Sequence, residues 1–384
     1  MVKISEFQAL MANEEKLKNF SIKSYPEYSY SEIKSELKAN PISYLKILEK
    51  KKKGNNFSDI KKKIQSFKKK HILIKKNPSI YLYEQIDKNK NYIGFICGVS
   101  TEDYKNGHIK IHEKTINKRR KLFQKYLEEC KVHAEPILLT YQKDERIENF
   151  INKKRNEKVK HEFKTNDGKS HKIWTLSSEK DILTIKNYFK KIQKLYIADG
   201  HHRIASSNSY NKSSKLNNPC LAYLVDSDQL TLENFHRIIP ESKINEKKTL
   251  LYLLKNNPQI KETQKILPIK KNEIKIYINE KWYSLKITQN TKNKDTIPVF
   301  LLSNKILKPI LNVRNLETTD RIRYVPHSKL NLEQILKNQN LVFLLPNIKI
   351  ETILEVANNN KTMPPKSTYI LPKLRTGLII MELK

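Results

Sequence analysis

Asp199-Gly-His-His-Arg203 places a carboxylate, two imidazoles and a guanidinium within five residues, the densest cluster of reactive groups in the chain. Gly200 permits a tight turn that a Cβ would obstruct. A turn that opens a helix presents backbone N–H groups and the positive end of a helix dipole, both of which attract anions. Arg203 adds a planar, permanently charged fork suited to phosphate. Asp199 is placed either to hold a magnesium ion or to orient a histidine. His201 and His202 face opposite sides if the segment is extended, so only one of them meets a substrate. In a purely structural reading, Asp199 caps the helix and the histidines fill hydrogen-bonding roles.

The elements around this turn follow from apolar periodicity. Leu195-Tyr-Ile-Ala198 reads as a strand running directly into it, with a helix from about Arg203. Before it, 178–194 reads as an amphipathic helix with Ile182, Leu183, Ile185, Phe189 and Ile192 inward. Helices are expected around 30–50, 57–70 and 117–131, and strands at 79–83, 92–96 and 136–140. The polar stretch 150–170 reads as a loop or hairpin, and strands recur at 221–225, 274–278 and 342–345. The pattern is mixed α/β or α+β, with antiparallel and parallel pairing and no clean domain boundary.

Composition narrows the function classes. The chain has 384 residues and only seven glycines, none spaced as a dinucleotide fingerprint. Gly168-Lys169-Ser170 resembles the end of a phosphate loop, but the first glycine of that loop would fall at Phe163. Walker-type and Rossmann-type loops are excluded, so any phosphate site uses another device. Cys97, Cys130 and Cys220 are scattered and support neither a disulfide framework nor a paired-cysteine zinc site. No apolar run approaches the roughly 18 residues of a membrane helix, and the N-terminus lacks a signal-peptide pattern. A cytoplasmic protein without membrane partners is expected.

The formal net charge is +35, but only ten of the 75 basic residues are arginine. Base-specific readout leans on arginine, and the abundance of Lys, Asn and Ile matches compositional drift. Lys50–Lys53, Lys61–Lys63 and Lys68–Lys70 flank Ile60, Ile64 and Phe67 at helical spacing, as on a solvated helix with one apolar face. Nucleic acid is therefore not the expected partner.

The segment Tyr196-Ile-Ala-Asp-Gly-His-His-Arg-Ile-Ala-Ser206 resembles the signature of a bacterial and archaeal family, domain of unknown function 1015. Gly107–Thr115, Ala134–Tyr141, Phe235-His-Arg237, Thr319–Ile322 and Met363–Leu378 resemble further motifs of that family in order. Ser24-Tyr-Pro-Glu-Tyr28 stands where the family has a Pro-Tyr-Asp-Val-like segment, with the order disturbed and Glu27 near the aspartate's place. The resemblance implies one family domain over 1–384. Its ParB/sulfiredoxin-like core would lie within about 75–240, with a mixed sheet and surrounding helices. A helical segment, 1–74, would precede it and an α+β segment, 241–384, would follow.

The turn is also similar to that of enzymes phosphorylating free L-serine with ADP or ATP. The resemblance thus implies a nucleotide-dependent kinase, with ATP or ADP and Mg2+ as cofactors and a small amino acid as substrate. In that scheme Gly200, Arg203, Arg119 and Arg237 hold phosphate or the substrate carboxylate, and Asp199 carries the metal. His201 or His202 touches the transferring group. Glu113, expected at the head of a helix, is the candidate general base, or simply complements that helix's dipole. Lys366, Ser367 and Lys373 close the site or pack. Two alternatives stand beside it. One is a ParB-like nucleotide sensor or nucleic-acid binder, although no helix-turn-helix is visible. The other is a metal-dependent hydrolase using Asp199, His201 and His236.

Overall fold

The computed structural model describes residues 1–49, 57–240, 244–264, 266–287, 297–313, 315–316, 319–337 and 341–384. Lys50–Lys53 lies outside the described residues. Two compact units are present. The first comprises residues 1–111, 115–230 and 372–384, and the second 112–114 and 231–371.

The first unit is built on a twelve-stranded mixed sheet. Its strands are β1 (Ile4–Ser5), β2 (Phe7–Ala12), β3 (Leu73–Asp87), β4 (Lys90–Val99), β5 (Ile109–Lys110), β6 (Val132–His133), β7 (Ile137–Tyr141), β8 (His161–Lys164), β9 (Ser170–Leu176), β10 (Leu195–Asp199), β11 (Cys220–Asp226) and the C-terminal strand Ile380–Glu382. The main path runs β5-β10-β7-β11-β4-β3-β2, then the C-terminal strand, then β6. The pairs β5–β10 and β7–β11 are parallel. The pairs β10–β7, β11–β4 and β3–β4 are antiparallel. All seven residues of β11 are buried, as expected of a central strand with both faces covered.

One face of this sheet buries Ile80, Leu82, Phe95, Leu139, Ile197 and Leu224. The helices Glu145–Arg155 and Glu179–Lys191 cover it with Ile147, Ile151, Ile182, Ile185 and Phe189. Phe189 packs edge-on to both Phe95 and Tyr141. Leu183 does not join them and stays 50% exposed. One residue after Ile182 means about 100° of helix rotation, which turns it away from the sheet.

The mixed α/β architecture expected from the sequence is the one observed. The expected helix over 30–50 is divided into Tyr30–Ala39 and Tyr44–Leu48, with Pro41 between them. Pro41 forces the preceding residue out of the helical region, and Asn40 is extended (φ −126°). The helix Ser58–Lys69 buries Ile60 and Ile64 while Lys61, Lys62 and Lys69 stay exposed. Residues 150–155 belong to the helix Glu145–Arg155, capped by the Asp144 side chain, and only the remainder of that stretch makes a hairpin.

The second unit contains a six-stranded antiparallel sheet in the order Ile260–Glu262, Lys281–Lys286, Glu273–Ile278, Leu341–Leu344, Phe235–Ile239, Arg323–Pro326. Ile239, Ile274, Ile276, Leu341 and Phe343 build its core with Leu250 and Leu254 of the helix Ile244–Asn256. Among the described residues, no helix of either unit is long and apolar enough to cross a membrane.

The two faces of the Glu179–Lys191 helix predict opposite mutational outcomes. Phe189→Ala should cost about 3–5 kcal/mol, and Leu183→Ala no more than about 0.5 kcal/mol. Urea unfolding of the two variants beside the parent chain measures both.

Candidate functional site

β10 is held between β5 and β7, with Leu195, Tyr196, Ile197 and Ala198 buried. Its register against β7 shifts between Ile197 and Asp199. The chain then reverses at Gly200 (φ +100°, ψ 24°) into the helix His201–Ser214. A Cβ on Gly200 would lie 2.7 Å from Ile137 Cγ2 and 3.2 Å from Ile137 Cα. The left-handed φ and the approach to β7 both require glycine. The Arg203 and Ile204 amides donate to the Gly200 carbonyl at 2.9 and 3.2 Å. The positive end of the helix dipole lies at this first turn.

The helix starts two residues earlier than expected. His201 and His202 are therefore its first two residues and project about 100° apart, rather than to opposite sides. His201 is buried. His202 Nε2 accepts the Ile116 amide at 2.9 Å. This bond ties His202 to the residue that precedes the helix Asn117–Cys130, and in the neutral ring it leaves the proton on Nδ1.

Asp199, at the end of β10, pairs with Lys373 Nζ at 2.9 Å. Burial pushes its carboxyl up, but Lys373, Arg203 and His201 outweigh that effect and hold it well below the ordinary carboxylate range. Arg203 reaches back across the sheet. Its guanidinium donates to Glu135 Oε1 at 2.5 Å and to the Pro136 carbonyl at 2.6 Å. Burial lowers and Glu135 raises its proton affinity, with a net rise that keeps it charged. Glu135 also accepts from the hydroxyls of Ser24 (3.3 Å) and Thr376 (3.1 Å). Burial and the Arg203 charge push nearby His133 down to about 4, so it is neutral at physiological pH.

The remaining sequence candidates lie elsewhere. Arg119 is exposed on the helix Asn117–Cys130. Glu113 belongs to the second unit, where it bridges Met363. It precedes that helix by four residues instead of standing at its head. Arg237, also in the second unit, is buried beneath Tyr324, with its centre 5.2 Å from that ring. It donates to the Phe235 and Lys366 carbonyls, and burial brings it down to about 10. In the same unit His236 Nε2 lies 3.1 Å from His327 Nδ1.

The structure thus brings Asp199, Gly200, His201, His202 and Arg203 together with Lys373 and Glu135. Glu135 had no assigned role in the sequence. Its one local signal is a carboxylate just before Pro136 and the apolar strand Ile137–Tyr141. Among the described residues, no group of three or more His, Cys, Asp or Glu is arranged to hold a metal. The turn offers magnesium a single carboxylate, Asp199. Magnesium characteristically takes one or two carboxylates and completes its shell with water and substrate phosphates, so this donor set fits an ion carried in on a polyphosphate. Chemically, the turn combines a helix N-terminus, the Asp199–Lys373 ion pair and a guanidinium anchored behind it by Glu135.

The Asp199–Lys373 pair sets a pH dependence. A carboxyl depressed in the folded state contributes stability above its unfolded pKa of about 3.9, and loses it as pH falls through the folded value. Asp199 is 44% exposed, so the pair contributes no more than about 1 kcal/mol. Lys373→Met should show that deficit at pH 7 and lose it progressively below about pH 4. Denaturant titrations of both proteins across pH check this.

Three comparisons complete the description. Truncated SbnI from Staphylococcus aureus superposes with a TM-score of 0.42 at 10% identity, over 72% of this chain and 82% of that one. A mutant free serine kinase in complex with AMP gives 0.39 at 13% identity, over 75% and 92%. A conserved hypothetical protein from Pyrococcus furiosus gives 0.37 at 12%, over 76% and 97%. No curated protein matches the chain. The model of the family described as protein of unknown function (DUF1015) matches residues 4–319. Together with the motifs that run in order from Gly107 to Leu378, that match shows that this chain belongs to the DUF1015 family.

Proposed function

We propose that this chain is a nucleotide-dependent phosphotransferase acting on the hydroxyl of a small amino acid, with free L-serine as the acceptor. One observation carries the reading: the Gly200 turn opens a helix N-terminus beside the Asp199–Lys373 ion pair. Such a site suits the oxygens of a transferring phosphoryl group, for which catalysis is largely positioning and charge neutralisation. The choice of serine, and of a ParB/sulfiredoxin-like core, rests on the resemblance of the Tyr196–Ser206 segment alone.

In this mechanism the positive end of the helix dipole and the Lys373 ammonium attract the terminal phosphates. Arg203 acts from behind as a positioning residue, because its fork is already engaged by Glu135 and Pro136. His202 positions the loop at Ile116, which leaves His201 to approach the phosphoryl group. Magnesium, held by Asp199 and the phosphate oxygens, would supply further charge neutralisation. The serine hydroxyl oxygen forms the new bond to phosphorus, and the bond to the nucleotide's leaving oxygen breaks. The hydroxyl proton goes to a carboxylate base, the role that the resemblance implies for Glu113. Arg119, exposed in the same unit as the turn, is the remaining candidate for phosphate or the substrate carboxylate.

Incubation with magnesium, ATP or ADP and a pool of amino acids should yield O-phosphoserine by mass spectrometry. Arg203→Lys keeps the charge but loses the two-pronged grip, and should lower turnover at least about tenfold. Glu113→Gln should lower kcat by about 100-fold or more, with ADP affinity unchanged by calorimetry. Equal losses of turnover and affinity in Glu113→Gln would make it structural, and no phosphorylated product with any amino acid would reject the kinase.

A further inference from the structure

A second feature of the first unit is a cavity of about 420 Å³, within the ordinary size range of small-molecule sites. Its walls are aromatic: Tyr25, Phe57, Phe123 and Tyr126. Tyr25 is 48% exposed and Phe123 38% exposed, which places their rings at the mouth. Phe57 and Tyr126 meet edge to face at 5.5 Å.

Polar groups also reach the lining. Glu135 and Arg203 reach it as the ion pair described above. Tyr44 also lines it, with its side chain fully buried and its hydroxyl beside the hydroxyl of Tyr126. The Glu135 carboxylate accepts from Arg203, Ser24 and Thr376. A carboxylate offers about four acceptor positions, so one remains.

The lining also draws on four stretches that the sequence singled out separately. Tyr25 and Pro26 come from the displaced N-terminal motif, Ala134 and Glu135 from the segment before β7, Arg203 from the turn, and Thr376 from the C-terminal motif. Arg203 belongs both to this cavity and to the helix that opens at the Gly200 turn.

We infer that this cavity receives the purine base of a nucleotide whose phosphates lie at the Gly200 turn. The inference rests on the phosphotransferase reading for the phosphate end and on the cavity itself for the base. A flat heteroaromatic ring stacks on the aromatic walls. Its N–H donor takes the remaining acceptor position of Glu135, and a ring nitrogen or N–H meets the Tyr44 hydroxyl. An aliphatic ligand would leave the Glu135 carboxylate's remaining acceptor position unmet, and an inorganic phosphate would leave the aromatic walls unmet.

Calorimetry with three probes, adenosine, ADP and pyrophosphate, on the parent chain, Phe123→Ala and Tyr44→Phe tests it. Base–aromatic stacking is substantial, so Phe123→Ala should weaken adenosine and ADP about tenfold and leave pyrophosphate unchanged. Tyr44→Phe removes only the hydroxyl, and should weaken adenosine and ADP about fivefold. Thermal melts establish that both variants are folded. If ADP binds the parent chain and neither variant changes its affinity, the base lies elsewhere; the inference falls while the phosphotransferase reading stands. If adenosine binds, responds to both variants and gains nothing from added phosphates, the cavity assignment stands and the phosphotransferase reading falls. If neither adenosine nor ADP binds, the inference is overturned, and pyrophosphate binding alone then decides whether the turn is an anion site.

Discussion

A partly buried carboxylate has to be answered by charge and hydrogen bonds, and in the first unit that requirement falls on Glu135. Arg203 supplies the charge, while Ser24 and Thr376 supply hydroxyl donors. These partners come from the N-terminal region, the chemistry-bearing turn and the C-terminal stretch. Removing either member of such a pair leaves the other charge uncompensated, which costs more than the pair itself contributes. The position of Arg203, and with it the first turn of its helix, therefore depends on a contact across 68 residues.

The turn carries a second constraint that is steric. Gly200 lies against Ile137 so closely that no Cβ fits. Together the two constraints orient the start of the His201–Ser214 helix relative to the sheet. Lys373 then arrives at Asp199 from 174 residues away. This constellation is thus a product of β7, β10 and the C-terminal segment. The five-residue motif supplies part of it, and the cation next to the turn comes from elsewhere in the chain.

What the sequence made legible follows from how local each signal is. Leu195–Ala198 is a short apolar run ending in Asp-Gly, and both the strand and the turn are where that pattern puts them. The lysines around Ile60 and Ile64 decorate a solvated helix face, as their spacing indicates. Leu183 was misplaced because composition placed it in the apolar set while helical phase excludes it. The helix Glu145–Arg155 was hidden, since Ile147 and Ile151 are embedded among Glu, Asn and Lys. The pairings Glu135–Arg203 and Lys373–Asp199 had no local signal, because each partner lies far away in sequence and is set by how the strands are ordered. Strand order is decided by packing, and no period in the sequence encodes it.

The central claim is that the Gly200 turn binds the phosphates of a nucleotide. The chain's seven glycines make it directly observable. A sample labelled with 15N-glycine gives one amide signal per glycine, and Gly168, the other glycine that follows an aspartate, serves as an internal control. Titration with ADP should move the Gly200 amide signal progressively, while the Gly168 signal stays in place. Saturable ADP binding with an unmoved Gly200 signal, or no ADP binding at all, would contradict the account.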